Sequence, residues 1–174
     1  IDGLPERQVT PRKPEDLARI RDDNAKIAAV RKKDSAQTWF ASGFQWPATG
    51  PISGVYGSQR ILNGKPKRPH NGIDVAAPRG STVTAAADGV IALVHPDMFY
   101  TGKTVIIDHG HGLSSVYVHM DDILVADGQR VAPHVMGDAG AELFDDADDL
   151  VAQNSGTGIG AMPLVRMNVG PADG

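Results

Sequence analysis

The sequence predicts a mainly β fold, an antiparallel β-barrel or sandwich preceded by an N-terminal helix. Three observations carry that expectation. With Gly 20 and Pro 12 among 174 residues, the chain is rich in turn-formers. From Phe44 onward, short runs of alternating apolar and polar residues recur between turn signals, the two-residue period of strands. A helical period is confined to the stretch before residue 37.

The elements follow in order. Residues 1–13 are polar, carry Pro5 and Pro11, and read as an extended tail. Pro14, Glu15 and Asp16 suit a helical first turn, where proline costs no hydrogen bond and acids face the positive end of the dipole. Leu17, Ile20, Ile27 and Ala28 approximate one face, which predicts a helix over 15–36 serving as a packing arm or linker. Residues 1–43 thus form an N-terminal tail and helix, and 44–174 a β-domain. In the latter, Gly50, Gly54 and Gly57 punctuate a first strand, and Asn63-Gly64 signals a tight hairpin turn. Residues 81–94 read as a hairpin turning at Asp88-Gly89. Residues 103–108 and 113–119 read as another, joined by His109-Gly110-His111-Gly112. Gly137 to Gly140 is a turn, and 141–155 is a divergent acidic segment, expected to be a short helix or loop. Its acids lack the glycine and spacing of a calcium loop.

Composition narrows the function. A net charge of −4 and a pI of about 5.8 disfavour a nucleic-acid partner. With no cysteine, any metal must sit on His, Asp and Glu. No run of 18 apolar residues offers a membrane span. A chain that begins at Ile1 reads as a fragment or processed form, so an export signal would lie upstream. There is no Gly-x-Ser-x-Gly elbow, P-loop or dinucleotide fingerprint.

The chemistry-bearing residues are His70 and Asp74, four apart across Gly72, and His119 at the end of an alternating strand. Imidazole and carboxylate are both good zinc ligands, and the glycine lets the chain turn so that both meet one point. In the strand 113–120, Val116, Val118 and Met120 form the natural core face and Ser115, Tyr117 and His119 share the other, so that Tyr117 and His119 look toward a groove or solvent. His109 and His111 lie in a glycine-flanked connection and read as turn residues. His95 and His134 have no partner at metal spacing.

Residues 46–131 resemble the lysostaphin-type (LytM-like) zinc endopeptidases that cut peptide cross-links of bacterial peptidoglycan. The resemblance runs through Trp46-Pro47, Gly54-Val-Tyr-Gly57, His70-x-x-x-Asp74, Ala85-Ala-Ala-Asp-Gly-Val90, Val105-Ile-Ile-Asp-His-Gly110, Tyr117-x-His119-Met120 and Asp127-Gly-Gln-Arg-Val131. It implies a duplicated-hybrid-motif-like β-fold, zinc bound by His70 and Asp74, and His119 assisting catalysis. It further implies a peptidoglycan peptide substrate, a cell-wall hydrolase or divisome partner, and a place in the periplasm or cell envelope. The family closes on Ser/Thr-Gly-x-x-x-Gly-Pro-His-x-His, whose two histidines act as catalyst and third zinc ligand. Here Met162 and Leu164 fall at those positions, and no histidine follows His134. His111, His134 or an acid from 142–149 are the candidate substitutes. Two readings stay open: a zinc endopeptidase, impaired by this loss, or a catalytically inactive peptidoglycan-binding or regulatory module.

Overall fold

A computed structural model describes residues 1–132 and 135–139. The acidic segment and the divergent closing stretch lie outside the described residues. The chain is mainly β, built on a curled antiparallel half-barrel. Two helices come first, α1 (Glu6–Val9) and α2 (Pro14–Arg31), followed by a 3₁₀ turn at Trp39–Ser42. The strands are β1 (Ile52–Gly54), β2 (Ile61–Leu62), β3 (Lys65–Pro66), β4 (Asp74–Val75), β5 (Thr82–Thr84), β6 (Gly89–Met98), β7 (Gly102–Gly110), β8 (Leu113–Ile123), β9 (Arg130–Val131) and β10 (Val135–Ala139). Six of them form one sheet in the order β5-β10-β8-β7-β6-β9. β1 pairs with β4 and β2 with β3 in two small ribbons beside it.

Two of the expected hairpins form. Asn63 and Gly64 both have positive φ (48° and 73°), the mirror-type turn that matches strand twist. β7 and β8 close around His111 and Gly112, again both at positive φ. The hairpin expected over 81–94 does not form. β5 pairs with β10 at one end of the sheet, whereas β6 pairs with β7 and β9 near the other. Ala85, Ala86 and Ala87, all fully buried, carry the chain between them beneath the sheet's inner face.

Both faces of β8 are buried, which corrects the expectation that Tyr117 and His119 face a groove or solvent. Tyr117 is wholly buried with Val75, Val83, Val105, Ile107 and Met136 in the main core. Val116 and Val118 pack on the other face with Ile106 and Met98, covered by Ile27 of α2. An amphipathic reading assumes one wet face, and α2 removes it. The buried seam of that helix is Asp16, Ile20, Asp23 and Ile27, at the four-three-four spacing of a docking stripe, while Leu17 is exposed. Two positions of the seam are acids with specific partners, which hydropathy alone discards. The helix ends at Arg31, short of residue 36. The backbone that follows turns to the sheet: the Ser35 carbonyl accepts the His111 N–H (2.7 Å) and the Ser35 hydroxyl donates to Asp108 (2.8 Å).

Residues 1–13 are a docked segment rather than a free tail. Val9 is fully buried. Leu4 and Asn63 exchange two hydrogen bonds (3.0 and 2.8 Å), and Lys65 pairs with Glu6 at 2.6 Å. The docked segment braces the β2–β3 ribbon, which leads directly into His70.

Candidate metal centre

His70 is fixed by its backbone before its side chain is considered. Its N–H donates to the Ser58 carbonyl (2.8 Å) and its carbonyl accepts the Gly57 N–H (2.7 Å). Asp74 opens β4, opposite Gly54 of β1. Gly54 is there for space: a Cβ added to it would lie 2.1 Å from Asp74 Oδ2. The carboxylate occupies the volume that any other residue's side chain would need.

These constraints bring His70 Nε2 to 3.2 Å from Asp74 Oδ1, in residues only 1% and 8% exposed. Two donors about 2.1 Å from a zinc ion at the tetrahedral angle stand about 3.4 Å apart, so the observed separation suits one shared cation. Asp74 Oδ1 is buried and accepts no hydrogen bond among the described residues. A buried carboxylate oxygen without a donor is costly unless a cation claims it. The donor set, one imidazole and one carboxylate, is that of a zinc site. Among the described residues no third His, Cys, Asp or Glu joins this pair.

His119 is 7% exposed and sits in β8 at a β-bulge. Val105 faces Tyr117 and Lys103 faces Met120, so two residues of β7 are spanned by three of β8. His119 absorbs the extra residue with φ of +58°, left-handed backbone that costs a non-glycine residue about 1 kcal/mol. Its N–H donates to the Thr101 carbonyl (3.0 Å). The bulge also explains why Tyr117 and Met120 share a core although they are three apart. Bulges of this kind re-aim a side chain and gather at functional sites. Periodicity has no signal for this one, because Val116, Val118 and Met120 keep an unbroken two-residue spacing in the sequence.

Among the described residues, the other histidines have partners apart from this pair. His109 lies within β7, not in the turn, and is fully buried. Its Nδ1 is 2.6 Å from the Asp88 carbonyl, its Nε2 is 2.7 Å from Ser115 Oγ, and Ser115 Oγ is 3.0 Å from Tyr117 Oη. Tyr117 Oη in turn accepts the Ala86 N–H at 2.8 Å. A carbonyl only accepts, so Nδ1 carries the proton and a neutral ring accepts at Nε2 from Ser115. Every group is then satisfied if Tyr117 donates to Ser115. Burial, the largest influence, holds the His109 pKa below its ordinary value, in keeping with the neutral ring, and pushes the Tyr117 phenol up. His111 is exposed in the turn and meets the Phe40 ring edge-on. His95 lies 3.2 Å from Lys26 and 3.8 Å from Asp23, under α2. His134 and the acids of 142–149 lie outside the described residues.

The model of peptidase family M23 matches residues 68–146, a span that holds His70, Asp74 and His119. The chain is 42% identical over 66 residues to the peptidoglycan DD-endopeptidase ShyA of Vibrio cholerae, covering 37% of this chain and 15% of that protein. A crystal structure from Pseudomonas aeruginosa assigned to peptidase M23 superposes with a TM-score of 0.64 at 34% identity, over 75% of this chain and 52% of that one. A zinc-containing peptidase from Vibrio cholerae superposes with a TM-score of 0.52 at 31% identity, over 56% of this chain and 32% of that one. The chain therefore spans from about a seventh to about half the length of these proteins.

Proposed function

We propose that this chain, a member of peptidase family M23, hydrolyses peptide bonds in the cross-links of bacterial peptidoglycan with zinc held by His70 and Asp74. The observation that carries the reading is the 3.2 Å approach of His70 Nε2 to a buried Asp74 oxygen that accepts no hydrogen bond among the described residues. The relatives named for peptidoglycan endopeptidase activity and for zinc content support it. His111, His134 and the acids of 142–149 are the sequence's candidates for a further ligand. When bound, zinc supplies a water of lowered pKa and polarises the scissile carbonyl.

The chain's own residues do the rest. The His119 imidazole takes the proton released as the water oxygen bonds to the carbonyl carbon. It then returns that proton to the departing amine as the C–N bond breaks. In its protonated form it stabilises the negative charge developing on oxygen. Ile52, Val55 and Tyr56, 45–57% exposed, stand on the segment that carries Gly54 and offer apolar contact to an extended peptide. A wall substrate sets the site of action in the periplasm or cell envelope, beside other wall hydrolases.

A second reading rests on the absence of any histidine after His134. In it the chain binds peptidoglycan, or regulates a hydrolase, without turnover. Zinc content of the dialysed protein and release of peptides from purified wall separate the two. About one zinc per chain with cleavage, both lost in His70→Ala, supports the endopeptidase. Sedimentation with insoluble wall without zinc or cleavage supports the binding module. Unchanged zinc in His70→Ala would refute the ligand assignment.

A further inference from the structure

The connection between β6 and β7, residues 99–101, is a turn, and turns are ordinarily wet. This one is buried: Phe99 and Tyr100 are 8% exposed and Thr101 is 0%. The cover is α2. Ile20 packs with Phe99 and Tyr100. The Arg7 and Arg19 guanidinium groups lie 5.3 and 5.9 Å from the Phe99 ring centroid. Arg19 also reaches the Asp97 carbonyl and carboxylate, at 2.5 and 2.7 Å. The central contact is made by Asp23, a buried carboxylate whose Oδ2 accepts the Phe99 N–H at 2.8 Å.

Two residues further on, the carbonyl of Thr101 accepts the N–H of His119. The Thr101 end of the turn is tied to the start of β7. The Thr104 hydroxyl donates to the Gly102 carbonyl (3.1 Å) and accepts from the Thr101 hydroxyl (2.7 Å). A continuous path therefore runs from Asp23 through the Phe99 amide and the Thr101 carbonyl to the His119 amide. That last bond is made by the one residue of β8 held in left-handed backbone.

We infer that Asp23 is a positioning residue for His119: through the buried 99–101 turn, α2 sets the bulge that aims the imidazole. The helix is then more than a linker. Its docking and the orientation of His119 are one equilibrium, and whatever draws α2 from the sheet releases the bulge. The catalytic part of this inference rests on the endopeptidase reading; the mechanical part does not.

The test separates the two by reading the His119 amide directly. Asp23→Ala strips the acceptor from the buried Phe99 N–H, whereas Asp23→Asn keeps an oxygen in the same place. Native-state hydrogen exchange of the full chain, followed amide by amide, should show protection at His119 falling at least about tenfold in Asp23→Ala. Protection at Ile106 and Ile107 should hold, and Asp23→Asn should stay near wild type. If His119 keeps its protection in Asp23→Ala, or if all three amides fall together, the inference is overturned. On purified wall, Asp23→Ala should lower kcat by at least about tenfold with KM and zinc content unchanged, because misaimed groups lose rate before binding. A His119-specific loss of protection with unchanged kcat would leave the coupling standing and remove His119 from the chemistry.

Discussion

His109 lies at the turn end of the β7–β8 hairpin and His119 near its far end, and both are buried, at 0% and 7% exposure. His109 sits at a register shift of its own, between Asp108 and Gly110, but outside left-handed backbone, its two ring nitrogens committed to Asp88 and Ser115 and its neighbours satisfied in turn. His119 sits in a bulge, on backbone that only glycine adopts without cost. The His70–Asp74 pair leaves a carboxylate oxygen without a hydrogen bond among the described residues. Burial thus does not by itself separate a structural histidine from a candidate for chemistry. Between these buried histidines, complete hydrogen bonding without left-handed backbone marks the structural one, and left-handed backbone or a neighbouring unclaimed acceptor marks the candidates.

The sharpest way to break that contrast is Gly54→Ala. Its methyl would fall 2.1 Å from Asp74 Oδ2, so the carboxylate must leave its place beside His70. Zinc content should drop below about a tenth per chain. The melting temperature should move only by what one displaced side chain costs, about 1–3 kcal/mol. Full zinc in this variant would mean that Asp74 reaches the metal from elsewhere, and the crowding at Gly54 would say nothing about the site.

Next comes Tyr117→Phe, which opens the chain of hydrogen bonds at the other end. The Ala86 N–H loses its acceptor and the Ser115 hydroxyl loses its Tyr117 partner, for about 1–3 kcal/mol of stability, measured by urea unfolding. Zinc content should stay as in the wild type. The same region carries a pH signature. Burial holds the folded His109 pKa below the unfolded value of about 6.5. As pH falls below that value, the unfolded chain takes up a proton that the folded chain refuses. The stabilisation present at neutral pH is therefore lost progressively, down to the folded pKa. His109→Gln cannot titrate, so the wild-type urea midpoint should fall relative to this variant between pH 7.5 and 5.5. Parallel midpoints would show that the folded ring is not neutral.

The part of this molecule that local chemistry writes was legible in the sequence. Asn63-Gly64 makes its turn because both residues tolerate positive φ. His70 and Asp74 are legible as a pair from their four-residue spacing, although Gly57, Ser58 and Gly54 fix where they meet. What tertiary partners decide was not legible. Asp16 and Asp23 are polar by any scale, yet they line the buried seam of α2, because Arg7 and the Phe99 amide await them. β5 and β6 look like a hairpin in sequence, but β5 instead pairs with β10, more than fifty residues on. The bulge at His119 is invisible for a related reason: periodicity is read one strand at a time, while a bulge is a mismatch between two.

The smallest effect tests the contrast most finely. His119→Ala and His119→Gly both delete the imidazole, so both should abolish the wall-cleaving activity equally. They differ in backbone alone. Alanine retains the left-handed cost at φ of +58°, about 1–2 kcal/mol, and glycine does not. Glycine in return gives the unfolded chain more freedom, worth about 0.5–1 kcal/mol. The balance favours glycine by about 0.5 kcal/mol, an inversion of the usual order in a strand, where alanine is the more stable of the two. Urea unfolding of the pair resolves a difference of that size when both share one m-value. Should alanine prove more stable, the bulge relaxes to ordinary strand once the imidazole is gone. The left-handed backbone would then be a consequence of where the ring is held, and the path from Asp23 through Thr101 would be following the side chain rather than setting it.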